Sequence, residues 1–151
     1  MSAYVDALKM LARRELSEAQ VRERLERRRH APEEIDDAVA RLREERAIDD
    51  TRVAEAIART QATLKRRGEA RVRRQIEQAG IASETARIVA RDVSEAADPD
   101  ALLEASLSRR LRGRSTIEDE AEFARLFRYL LSQGFDPDRI RPALERRQQR
   151  S

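Results

Sequence analysis

The stretch Leu126-Phe127-Arg128-Tyr129-Leu130-Leu131-Ser132-Gln133-Gly134-Phe135-Asp136-Pro137-Asp138-Arg139-Ile140-Arg141-Pro142-Ala143-Leu144 reads as two short amphipathic helices across one loop. Leu126 and Leu130 stand one turn apart, and Ile140, Ala143 and Leu144 repeat at helical spacing. Gly134 closes the first helix, and Asp136-Pro137 is a cap followed by a first-turn proline. The same pattern occurs twice more upstream. Val21-x-x-x-Leu25 precedes Pro32-x-x-Ile35-x-x-Ala38-Val39, and Val72-x-x-x-Ile76 precedes Ser83-x-x-Ala86-x-x-Val89-Ala90. A repeat with a period of roughly fifty residues is the signature of a helical array. The copies align position by position. Arg29, Gly80 and Gly134 share the helix-ending place; His30, Ile81 and Phe135 share the next one, where a residue plugs the gap between two helices.

Extending outward gives nine helices. Helix 1 is expected at about 3–14, with Val5, Leu8, Leu11 and Ala12 on its apolar face. Ser17-x-x-Gln20 is a capping box opening helix 2. Ile35, Ala38, Val39 and Leu42 form the buried stripe of helix 3. Asp49 or Asp50 caps helix 4, which is expected to run to about Arg67 with Val53, Ala54, Ile57, Ala58 and Leu64 inward and Gly68 as its end. Helices 5 and 6 cover about 69–79 and 83–96. Asp98-Pro99 opens helix 7, striped by Leu103, Leu107 and Leu111. Helix 8, about 119–133, carries Phe123, Leu126, Phe127, Leu130 and Leu131. Helix 9 is expected to fray over 146–151. The fold class read from this is all-α, an array of nine helices in three groups. Strand-like alternation is absent, and regularly placed glycines and prolines exclude one long coiled coil.

Composition agrees. Of the 151 residues, 40% are hydrophobic and 40% charged, enough apolar surface for a core only if it is placed periodically. The net charge is +3, and Lys9 and Lys65 are the only lysines among 32 basic residues. Glu18 with Arg22 and Glu23 with Arg27 are i,i+4 pairs, so much of the charge is a solvated helix face. There is no cysteine, which excludes disulfides and thiolate metal sites. No apolar leader or membrane-spanning run is present, so a soluble, cytoplasmic protein is expected.

Enzymatic signals are missing. His30 is the only histidine and falls on a loop-plug position. Asp36-Asp37 and Asp49-Asp50 are adjacent, and neighbouring helix residues point about 100° apart, so neither pair converges on an ion. The four glycines are isolated and build no phosphate loop. Tyr4 and Tyr129 fit packing better than base stacking. No cofactor or metal site is expected, nor catalysis. Two arginine clusters rise above the background: Lys65, Arg66, Arg67, Arg71, Arg73 and Arg74; and Arg109, Arg110, Arg112 and Arg114. Cations in a last turn complement a helix's negative end, which accounts for some of them structurally. The functional reading is contact with phosphates or an acidic protein surface. With no aromatics interleaved, base-specific single-strand readout is not expected.

Four stretches together resemble the RecX regulators of the bacterial RecA recombinase. They are Ala7-Leu8-x-x-Leu11-x-x-Arg14-x-x-Ser17; Leu42 leading to Ile48-Asp49-Asp50-x-x-Val53-Ala54; Gly68-x-x-Arg71-Val72-x-x-Gln75-Ile76 with Ala79-Gly80-Ile81; and Arg128-Tyr129-Leu130-x-x-Gln133-Gly134-Phe135-Asp136-x-Asp138-x-Ile140. The resemblance spans nearly the whole chain. Val53 stands where the family usually has an aromatic, Thr60 where arginine is common, Glu69 where proline is frequent, and Arg29 where glycine is usual. The resemblance implies three tandem three-helix repeats in an elongated, curved array, with units at 1–47, 48–97 and 98–151. It implies a monomer that binds the RecA–DNA filament along its groove, reaching DNA weakly or through the filament. It also implies inhibition of strand exchange, ATP hydrolysis and coprotease activity, within DNA repair and the SOS response. The rival reading is a helix-turn-helix nucleic-acid regulator, but helices 2, 5 and 8 carry mainly charge where a recognition helix would present base-reading side chains.

Overall fold

The structure, a computed structural model, describes residues 1–148. Nine α-helices are present among them: α1 Ala3–Arg13, α2 Glu18–Arg27, α3 Pro32–Glu44, α4 Asp50–Arg59, α5 Glu69–Gln78, α6 Ser83–Ala96, α7 Pro99–Leu111, α8 Glu120–Ser132 and α9 Pro137–Glu145. Helix packing is concentrated in three groups: α1 with α2 and α3, α4 with α5 and α6, α7 with α8 and α9. The all-helical, three-by-three arrangement therefore stands as the repeat implied.

Local chemistry sets most boundaries. The Ser17 hydroxyl accepts from the Gln20 N–H, and the Gln20 side chain accepts from the Ser17 N–H, which completes the capping box of α2. Asp49, Asp98, Asp119 and Asp136 each accept a backbone N–H in the first turn of their helices. Arg29, Gly80 and Gly134 all adopt left-handed backbone, with φ of 62°, 81° and 99°. After the first and third of them the chain closes the same hydrogen bond, His30 N–H to the Leu25 carbonyl and Phe135 N–H to that of Leu130. These are Schellman ends, which need a left-handed residue.

The buried stripes meet in two clusters rather than three. Residues Ala3 to Ile48 form the first, around Leu16, Leu25, Val39 and Leu42. The second runs continuously from Val53 to Leu144. It is continuous because the start of α5 lies against the end of α8. Gly68 N–H donates to the Gln133 carbonyl at 2.9 Å and Ala70 N–H to that of Gly134 at 3.2 Å.

Four sequence expectations are corrected. On α1 the buried face is Ala3, Asp6, Ala7 and Met10, while Val5 and Leu8 are exposed and Leu11 is half-buried. Small alanines let α1 lie close to its neighbours, and Asp6 finds partners there. Helix 4 does not continue as α-helix: Thr60–Leu64 form a π-helical turn. Gln61 and Ala62 stay buried at i+3 and i+4 from Ala58, but the wider turn shifts the register after them and leaves Leu64 74% exposed. Gly68 is the N-cap of α5, with extended backbone, and not the end of α4. Leu131 is exposed on α8. The chain past α9 is tied down as far as described: Ile117 N–H donates to the Arg147 carbonyl at 2.8 Å, and Arg147 pairs with Glu104 at 3.0 Å. The rest of the expected fraying, at 149–151, lies outside the described residues.

Candidate functional site

The basic clusters sit on the elements joining the second and third helix groups. Lys65 and Arg66 leave the π-helical turn, both exposed, with Arg66 left-handed at φ 52°. Arg67 folds back instead. Its N–H donates to the Gln61 carbonyl at 3.0 Å and its Nη1 to Gln61 Oε1 at 2.7 Å. Burial holds the Arg67 guanidinium below its ordinary pKa, and the like charge of Arg71 pushes the same way, offset by the Tyr129 phenol. Arg71 Nη1 reaches the Ser132 carbonyl, 3.4 Å away at the negative end of α8. Arg73 is engaged by Glu77 at 2.8 Å. Arg74 is exposed at the mouth of a cleft of about 510 Å³ and forms no ion pair among the described residues.

The second cluster divides as well. The Arg110 guanidinium lies 4.6 Å from the centroid of the Tyr129 ring, a cation–π contact. Arg114 makes a two-pronged pair with Glu122, both contacts 3.0 Å. That hydrogen bonding holds the Glu122 carboxyl below its usual range and raises the Arg114 guanidinium. Arg109 and Arg112 are exposed; Arg112 closes α7 in left-handed backbone at φ 53°.

Tyr129 thus connects what the sequence showed as two clusters. The Tyr129 phenol acts on the charge of Arg67, which precedes α5, and Arg110 stacks on the ring from α7. Arg73 and Arg114 are withdrawn into ion pairs, and Lys65, Arg66, Arg74, Arg109 and Arg112 remain outward. An array of fixed and free guanidinium groups can hold phosphate or carboxylate oxygens at several points. Sequence reading assigned Tyr129 to packing. It does pack against the core at the edge of the apolar stripe, but spacing could not reveal that Arg110 of α7 would stack on it.

The family model described as "RecX, first three-helix domain" matches residues 3–42, the span of α1 to α3. Regulatory protein RecX of Chromohalobacter salexigens is 32% identical over 139 residues, covering 92% of this chain and 88% of that protein. The chain belongs to the RecX family. Regulatory protein RecX of Halorhodospira halophila is likewise 32% identical, over 91% of this chain and 83% of its own length. The crystal structure of RecX from Lactobacillus salivarius superposes with a TM-score of 0.74 at 19% identity, covering 95% of this chain and 94% of that one. A second regulatory protein RecX structure gives 0.76 at 20% identity over 95% and 70%. At those identities it is the RecX fold that is shared. Among the described residues no helix is long and apolar enough to cross a membrane.

Proposed function

We propose that this chain is a cytoplasmic regulator that binds the RecA–DNA filament and inhibits its strand exchange, ATP hydrolysis and coprotease activity in DNA repair and the SOS response. Relatives over nearly its full length are regulatory proteins named RecX. The observation that carries the reading on this molecule is its set of arginines outside ion pairs: Arg66, Arg71, Arg74, Arg109, Arg110 and Arg112 stand without carboxylate partners among the described residues, and Arg110 stacks on Tyr129. A filament presents phosphates and polar protein surface at a regular repeat. A monomer built of three helix groups, units we place at 1–47, 48–97 and 98–151, spreads many weak contacts along it. Regulation of this kind needs binding alone, with no bond made or broken.

The test adds purified protein to cognate RecA on single-stranded DNA with ATP. Hydrolysis is expected to slow and filaments to shorten. No effect at any stoichiometry overturns the proposal, and tight, sequence-selective duplex binding without RecA would turn the reading toward a helix-turn-helix regulator.

A further inference from the structure

Where α1 and α2 meet α4 and α5, a cleft of about 440 Å³ opens on the surface. Four of the chain's seven glutamines line it: Gln20, Gln61, Gln75 and Gln78. The chain has no asparagine. In a molecule that is 40% charged, more than half of the side-chain amides line one cleft. Val53 and Ile57 supply an apolar floor, and the only charged lining residues are Arg14 and Glu15, the latter paired with Arg52.

The amides are oriented. Gln20 Oε1 accepts from the Ser17 N–H at 2.9 Å, and Gln61 Oε1 accepts from Arg67 Nη1 at 2.7 Å. Both partners are pure donors, so each glutamine must turn its oxygen toward them and its NH₂ group elsewhere. Gln75 and Gln78, one turn apart on α5, have no side-chain hydrogen bond among the described residues. The walls are also fixed relative to each other. The Ser17 hydroxyl donates to the Ala79 carbonyl, and the Glu18 N–H donates to Asp50 Oδ1 at 2.9 Å.

A neutral cleft with surplus amide donors over an apolar floor matches the backbone of an extended polypeptide. Such a segment offers a carbonyl at each residue and turns alternate side chains to one face. A nucleic-acid strand fits poorly, since it brings a charge at each phosphate and bases that seek aromatic faces. The lining has one cation, Arg14, without a partner among the described residues, and no aromatic ring. We propose that this cleft binds an extended, uncharged segment of the protein partner, its glutamine NH₂ groups taking the segment's backbone carbonyls. This rests on the filament reading above, and it assigns the protein side of the contact to a cleft bordering the arginine surface, since Gln78 stands one turn after Arg74 on α5.

The absence of cysteine allows a clean test. The full chain carrying Thr60→Cys, in the cleft lining but not one of its glutamine donors, is labelled with a benzophenone maleimide, mixed with RecA filaments on single-stranded DNA with ATP, and irradiated. The adduct is expected on RecA, within one short segment. Adducts on DNA, adducts scattered over RecA, or none while the labelled chain still slows ATP hydrolysis would overturn the cleft and spare the filament reading. An unlabelled wild-type chain that does not bind filaments overturns both. In parallel, Gln75→Glu with Gln78→Glu removes two donors and sets carboxylates against carbonyls. Binding is expected to weaken about tenfold or more at an unchanged unfolding midpoint. Equal affinity overturns the proposal.

Discussion

Gly68 and Gly134 meet backbone to backbone at the junction of the second and third helix groups. A Cβ on Gly68 would lie 2.6 Å from the Phe135 nitrogen and closer still to the Gly134 carbonyl. The obstructing atoms are main chain, held by the Gly68–Gln133 and Ala70–Gly134 hydrogen bonds, so they cannot swing aside as a long side chain would. Gly68→Ala should force α5 and α8 apart and cost about 1–3 kcal/mol, the range for overpacking a tight site. Urea unfolding followed by helicity would show it as a lowered midpoint. An unchanged midpoint would mean that the junction opens freely.

Arg29 occupies, at φ 62°, the place that Gly80 and Gly134 take in the other copies. An L-residue in that region carries a penalty of about 1–2 kcal/mol, of which the gain in unfolded-chain entropy on introducing glycine returns part. Arg29→Gly should therefore stabilise the first helix group by up to about 1 kcal/mol. A lower thermal midpoint for the variant would show that the Arg29 side chain contributes more than its backbone costs.

The π-helical turn makes a prediction about register. Leu64 is 74% exposed and Ala62 fully buried. Leu64→Lys should change stability by no more than about 0.5 kcal/mol, as surface substitutions do, whereas Ala62→Lys should be severely destabilising. An unbroken α-helix would also bury Ala62, one turn after Ala58, but would turn Leu64 to the face of Val53 and Ile57, so the Leu64→Lys curve tests the turn and the Ala62→Lys curve is its buried reference.

Much of this fold could be read from the chain because three stripes constrain one another. Leu25, Ile76 and Leu130 are all fully buried, and their agreement fixes the register of each copy. Capping chemistry at Ser17, Asp49, Asp98 and Asp136 then fixed where helices begin. The first helix escaped because it has two apolar faces. Val5 and Leu8 are the larger side chains, but Ala3 and Ala7 permit closer approach, and the buried partner of Asp6 lies 24 residues away at His30. The π-helical turn escaped because no local pattern announces an extra residue in a turn. The arginine surface was legible as composition and not as geometry. Nothing in the spacing of Arg67 and Arg110 states that Tyr129 stands close to both.

The division of the arginines predicts unequal effects. Arg66 and Arg74 are exposed and outside any ion pair among the described residues, whereas Arg73 and Arg114 are engaged by Glu77 and Glu122. Arg66→Glu with Arg74→Glu should weaken filament binding about tenfold or more and flatten its dependence on salt. Arg73→Gln should change binding less. Equal losses from both, measured by titrating ATPase inhibition at two salt concentrations, would show that the ion pairs open on binding.

Asp6 gives the last prediction. It is a buried carboxyl on α1, hydrogen-bonded to His30 Nε2 at 2.9 Å and paired with Arg28. Burial alone would raise its pKa, but the His30 hydrogen bond and the Arg28 charge outweigh it, and the folded value lies below the ordinary one. The sign of the stability effect follows. A carboxyl depressed in the folded state contributes stability above its unfolded pKa of about 3.9, and that contribution is lost as pH falls through the folded value. Wild-type stability should therefore decline below about pH 4 more steeply than that of Asp6→Asn, which has no proton to take up. At neutral pH the variant should already be weaker by about 1–3 kcal/mol, because His30 and Arg28 lose a charged acceptor. Chemical denaturation across pH 2 to 7 compares the two directly. Parallel acid limbs would mean that Asp6 is no better placed in the folded chain than in the unfolded one, and that α1 owes its buried face to Ala3, Ala7 and Met10 alone.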